Sequence, residues 1–164
     1  MERLAVLDGM PGVRLVIVGD GPSRAALTER LPNAVFLGEL HGNKLSAAFA
    51  SLDVFVHTGP HETCCQAVQE AMASGVPVLA PDAGGPRDLV EHGRTGFLLP
   101  AQRAGFTAAL PAYVRRLADA PQLRSALAAA ARSAVKHRTW PAVCAQLVDH
   151  YAAVQTERAH WLAA

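Results

Sequence analysis

Two carboxylates eight positions apart, Glu62 and Glu70, stand in the stretch GPHETCCQAVQEAMASGVPVLAPDAGG that runs from Gly59 to Gly85. Thr63 and Gln66 between them fit a capping box, which predicts a helix over 63–74 with the amides of Cys64 and Cys65 facing the loop before it. Eight helical residues rise roughly 12 Å. Hydrolysis of a glycosidic bond by a carboxyl pair needs roughly 5–9.5 Å, so this pair is too far apart for it. The spacing suits gripping the two ends of one elongated ligand. The unpaired N–H groups at a helix start favour an anion between those ends. A nucleoside diphosphate sugar has that shape: ribose hydroxyls, two phosphates, then sugar hydroxyls.

The elements around this stretch must hold it. An apolar run at 53–57 precedes it and another at 76–80 lies within it, both reading as strands; Gly75 marks the helix stop. Upstream, the continuous apolar run 13–19 reads as a parallel strand covered on both faces. A helix over 22–31, a short strand over 34–38 and a helix over 44–52 follow it. Downstream come a short helix at 86–92, a turn at 93–96, a strand at 97–99 and Ala-rich helices near 104–119, 121–137 and 141–162. Residues 3–9 read as the last turns of a helix. Strands alternating with helices predict an α/β fold, a Rossmann-like parallel sheet flanked by helices.

Bulk properties narrow the classes. With 164 residues, 51% hydrophobic and 5% aromatic, the chain reads as a single domain over 1–164 with an Ala/Val/Leu-packed interior. A formal charge of +1 gives no argument for nucleic acid or an acidic membrane surface as partner, and no nucleic acid is expected. No apolar run of about 18 residues marks a transmembrane segment, and no signal-peptide pattern is present. Three cysteines, two of them adjacent, form no disulfide framework and fit a reducing, cytoplasmic setting.

The pairing of Glu62 with Glu70 resembles the E-x7-E pattern of retaining GT-B glycosyltransferases of the group 1 class (family 4). Within that class the chain is most similar to bacterial GDP-mannose-dependent α-mannosyltransferases. The supporting segments run in family order: LVIVGDGP at 15–22, VFLG at 35–38, DVFV at 53–56, EAMASGVPV at 70–78 and GRTGFLLP at 93–100, with Trp140 and Tyr151 in the tail. The resemblance implies a C-terminal, donor-binding half of a GT-B enzyme. Its helix at 140–164 would pack back toward an N-terminal acceptor domain outside this chain. In the family the donor half opens with a strand that is central in the order 3-2-1-4-5-6. A glycine/arginine/lysine segment whose cations offset the diphosphate follows that strand. This chain begins after both, so the fold is expected with its first central strand missing. The strands near 13 and 53 would then either pair directly or stand apart.

The resemblance also distributes roles. Glu62 becomes the catalytic carboxylate, binding a sugar hydroxyl and stabilising an oxocarbenium-like transition state, where residue type alone allows an exposed acid at a helix start. Glu70 takes the ribose hydroxyls. Thr63, Cys64, Cys65 and Gln66 supply first-turn amides to phosphate or sugar oxygens, and His61 beside Glu62 is in reach of the donor. Gly19 and Gly21 line the nucleotide cleft; a tight turn explains them equally. Leu40 and Lys44 belong to the loop that holds the base, although Lys44 equally suits the solvated start of a helix. His57 reads as a strand-end packing residue. No metal or other cofactor is expected, because helix amides and cations offset the diphosphate charge. The thiols carry no metal-ligand spacing. Arg24 at the third glycine position of a G-x-G-x-x-G pattern disfavours a nicotinamide dinucleotide.

Taken together, the expected function is donor binding in an enzyme that transfers a hexosyl group, mannose from GDP-mannose, with retention to a lipid, glycan or small-molecule acceptor. This chain alone would be inactive. The alternative is a non-catalytic remnant or assembly domain that binds nucleotide sugars weakly or not at all. The expected partners are the nucleoside diphosphate sugar and either the N-terminal domain or another chain. Peripheral membrane contact would come only through that absent domain.

Overall fold

The computed structural model describes residues 3–163. After a short 3-10 turn at Ala5–Leu7 the chain alternates β1 (Val16–Val18), α1 (Arg24–Arg30), β2 (Val35–Gly38), α2 (Gly42–Ala50), β3 (Phe55–Val56), α3 (Gln66–Ala73), β4 (Val78–Pro81), α4 (Gly84–Leu89) and β5 (Gly96–Leu99). Three longer helices follow, α5 (Arg103–Asp119), α6 (Pro121–Val135) and α7 (Trp140–Ala163). Every pairing between these strands is parallel, which the helical crossovers require. The expected Rossmann-like class is what the molecule adopts.

The strands form two sheets, β1–β2 and β3–β4–β5. In the first, Val16 pairs with Val35 and Ile17 with Phe36. In the second, β4 is central, with Val78 beside both Phe55 and Gly96. Of the two arrangements expected for the strands near 13 and 53, the molecule takes the separated one. Among the described residues, β1 and β3 each keep one edge without a partner strand. This also corrects the reading of 13–19 as a strand covered on both faces: β1 starts only at Val16, and Val18 is 37% exposed.

The core centres on β4 and β5. Alternation puts Leu79, Phe97 and Leu99 in one cluster with Phe106, Leu110, Val114 and Leu117 of α5, and Leu7 joins it from the N-terminal turn. All four residues of β4 are buried, and α3, α4 and α5 pack against this strand. Phe106 has no exposed surface. Phe106→Ala is therefore expected to cost about 3–5 kcal/mol of stability, read from the urea midpoint at unchanged m.

Several bounds differ from the sequence expectations, the largest at the start of α3, taken up below. The short helix expected at 86–92 begins two residues earlier, at Gly84, and ends at Leu89. Residues 3–9 contain a single 3-10 turn in place of the last turns of a helix. The ends of the expected domain at 1 and 164 lie outside the described residues. The chain divides into two compact units, one up to Ala134 and one from Val135. The second unit is essentially α7, on which Leu147, Val148, Tyr151 and Val154 are exposed. Among the described residues no helix is long and apolar enough to cross a membrane.

Candidate functional site

The backbone N–H of His57, just past β3, donates to the Leu79 carbonyl oxygen at 2.9 Å, so the loop that follows starts from a fixed point on β4. The other end of that loop is not the helix start that the capping box predicts. Thr63 caps nothing, and α3 begins at Gln66 after Cys65, which adopts left-handed backbone angles with φ 48°. The amides of Val68 and Gln69 both reach back to the Cys65 carbonyl, at 3.0 and 3.1 Å. The Gln69 side-chain amide donates to the Cys64 carbonyl oxygen at 2.7 Å. Cys64 and Cys65 therefore finish the loop, and only Gln66 of the expected donor-binding set lies in the first turn of the helix. No side chain caps that turn.

The reason for this geometry lies elsewhere in the chain. The N–H of Gly85, in the first turn of α4, donates to the Glu62 carbonyl oxygen at 2.7 Å. A Cβ on Gly85 would run into the Thr63 carbonyl oxygen and stand 3.0 Å from both Cys65 Sγ and the Glu62 carbonyl oxygen. A Cβ on Gly84 would sit 2.9 Å from the carbonyl oxygens of Pro60 and Glu62. Two glycines let α4 press directly on the loop, backbone to backbone, and this contact sets where Glu62 stands.

Glu62, His61 and Thr63 line a cleft of about 710 Å³ together with Arg3, Gly84 and Gln102. Glu62 itself is exposed. Arg3, whose Nη2 donates to the Ala101 carbonyl oxygen at 3.1 Å while its guanidinium lies 4.9 Å from the Phe106 ring centre, is the cation among the lining residues. Arg3 and Gln102 escape sequence reasoning because no motif marks them; tertiary packing alone brings them to Glu62.

The other expected site residues lie off this wall. Glu70 is on the exposed side of α3, opposite buried Val68, Ala71 and Met72. Since α3 starts at Gln66, the path from Glu62 to Glu70 is half loop and half helix, and the roughly 12 Å helical rise does not apply to it. Gly19 and Gly21 form the turn after β1 with φ 122° and 147°. The N–H of Gly19 donates to the Gly38 carbonyl oxygen at 2.7 Å, and Asp20 holds both the Gly21 amide and Arg24. Leu40 is half-buried after β2, and Lys44 is exposed in the first turn of α2. These four follow the C-terminal ends of β1 and β2, which is where open parallel sheets receive ligands. None of them lines the cleft that Glu62 lines. Among the described residues no group of three or more His, Cys, Asp or Glu side chains could hold a metal ion.

A helix start lowers a thiol's pKa, but burial opposes this. Burial pushes the Cys65 thiol up, and the charges of Glu62, Cys64 and Asp88 act in the same direction. Cys65 is thus held as the neutral, unreactive thiol, while Cys64 is exposed. At pH 8, iodoacetamide is expected to label Cys64 well before Cys65, with the order read by peptide mass spectrometry.

Comparison with known proteins adds to this geometry. Residues 2–119 match the family described as Glycosyl transferases group 1. The GDP-mannose-dependent alpha-mannosyltransferase of Mycolicibacterium smegmatis is 58% identical over 96% of this chain and 41% of its own length. This chain spans about 40% of the length of the curated relatives it matches at high identity. Among solved structures, the sucrose-phosphate synthase of Thermosynechococcus elongatus superposes with a TM-score of 0.82 at 24% identity, covering 95% of this chain and 42% of that one. Anabaena Alr3699/HepE in complex with UDP-glucose superposes with a TM-score of 0.71 at 25% identity, over 92% of this chain and 44% of that one.

Proposed function

We propose, for a chain that belongs to the group 1 glycosyl transferase family, that it is the nucleotide-sugar-binding domain of a hexosyltransferase whose donor is GDP-mannose. The observation that carries this reading is Glu62 among the residues lining a cleft, its main-chain carbonyl held by α4 in the loop before α3. The donor's identity is supported by the mannosyltransferase relatives, and nucleotide-sugar binding by the UDP-glucose complex of the Anabaena neighbour.

In this reading Glu62 takes a hydroxyl of the sugar and stabilises the positive charge that develops at the anomeric carbon, with retention of its configuration. The first-turn amides of α3 and the Arg3 guanidinium offset the diphosphate charge, so that no metal is required. Glu70 takes the ribose, and the loops carrying Gly19, Gly21, Leu40 and Lys44 take the base. The acceptor is held by a further domain, against which the exposed apolar residues of α7 would pack. Use of a nucleotide sugar and three free cysteines fit the cytoplasm.

An NMR titration of the chain with GDP-mannose, GDP, UDP and UDP-glucose, each with and without EDTA, tests the reading. Saturable shifts over 59–70, stronger with GDP-mannose than with the UDP ligands and indifferent to EDTA, are expected. A folded chain that shifts with none of the four would remove it. The break between the two sheets favours one second reading, a non-catalytic domain that binds the donor weakly and acts by association.

A further inference from the structure

We propose that His57 is a positioning residue for Glu62, turning its carboxylate toward the sugar when the donor is bound. The inference rests on the reading of Glu62 as the sugar ligand. His57 is anchored through its backbone to Leu79. Its Nε2 is shut off from solvent and has no hydrogen-bond partner among the described residues. A buried ring nitrogen left unpaired costs stability, and in a folded protein it calls for a partner.

Glu62 stands near enough to take it. A Cβ on Gly59 would stand 3.2 Å from His57 Nε2, 3.4 Å from Glu62 Cγ and 3.6 Å from Glu62 Oε1. The ring nitrogen and the carboxylate therefore approach one point from two sides, and the absence of a side chain on Gly59 keeps the way between them open. The Glu62 carbonyl is pinned by Gly85, whereas its side chain is exposed and free to turn about its own bonds. Turning it toward Gly59 brings one carboxylate oxygen to Nε2 and directs the other into the cleft. With a proton on Nε2, His57 donates to that oxygen in a charge-assisted bond. Supporting bonds of this kind fix the orientation of a ligand-binding carboxylate.

Affinities of the 164-residue chain for GDP-mannose and for GDP, measured by calorimetry, separate the possibilities. His57→Phe is expected to weaken GDP-mannose roughly tenfold, the loss of one such bond, and to leave GDP unchanged because GDP carries no sugar. His57→Gln, which keeps a donor, is expected to recover most of the loss. Adding His57→Phe to Glu62→Gln is expected to weaken GDP-mannose no further than Glu62→Gln alone. Equal loss for both ligands, or none for either, would overturn the proposal. A wild-type chain that does not prefer GDP-mannose over GDP, or a preference that survives Glu62→Gln, would instead mean that Glu62 is not the sugar ligand. The wild-type chain offers a check that needs no variant: a protected His57 Nε2–H resonance should emerge with GDP-mannose and not with GDP, and its failure to do so overturns the proposal.

Discussion

Glu62→Gln is expected to lower sugar transfer by the complete protein roughly 10²- to 10³-fold, the usual effect of removing one group aimed at developing charge. The substitution keeps the size of the side chain and its reach toward the cleft. The Gly85 N–H bonds the main-chain carbonyl of residue 62, which the change leaves untouched. The fold and the affinity for GDP are therefore expected to stay as they are, while GDP-mannose binds more weakly and kcat falls. Steady-state rates with GDP-mannose, set beside GDP affinity, check this. A variant keeping more than about a tenth of the activity would mean that Glu62 makes no contact specific to the transition state.

Gly85→Ala carries the second large effect. The new methyl has nowhere to go, because its closest neighbours are the carbonyl oxygens of Thr63 and Glu62 and the buried Cys65 sulfur. Main-chain atoms cannot swing aside as a long side chain can, so either α4 or the loop must shift. Overpacking of this kind costs about 1–3 kcal/mol. The shift displaces Glu62, and donor affinity is expected to fall at least about tenfold. Chemical denaturation reads the first effect and titration with GDP-mannose the second. Unchanged donor binding by the folded variant would show that the contact with α4 does not place Glu62.

The fold is written in the chain at the level of element order. The apolar runs around Ile17, Phe36, Phe55, Leu79 and Leu98 each became a strand, and the segments between them became helices. The start of α3 was harder to read for a physical reason. Thr63 and Gln66 satisfy a local capping pattern, but a hydrogen bond from Gly85, more than twenty positions downstream, draws the Glu62 carbonyl away and leaves Cys65 to turn the chain by a left-handed conformation. A long-range contact overrode a local preference that carries no tertiary information. The same holds for the cleft: His61, Glu62 and Thr63 are contiguous and were legible, whereas Arg3 and Gln102 reach them only through packing on Phe106 and the end of β5. The protonation of Cys65 was likewise a contest that burial decided, and burial cannot be read from its position in the chain.

The separation of β1 from β3 bears on how the molecule breathes. No ladder hydrogen bond passes from one sheet to the other among the described residues, so the β1–β2 pair can open without breaking any bond of β3, β4 or β5. Cooperative units with few shared bonds open at different free energies. The amides of β4, with a strand on either side and fully buried, belong to the more protected unit, and those of β1 to the less protected one. The glycine turn after β1 thus stands on the looser unit and Glu62 on the firmer one. A ligand long enough to touch both would stitch them into a single cooperative whole, and part of its binding energy would be used in ordering the protein.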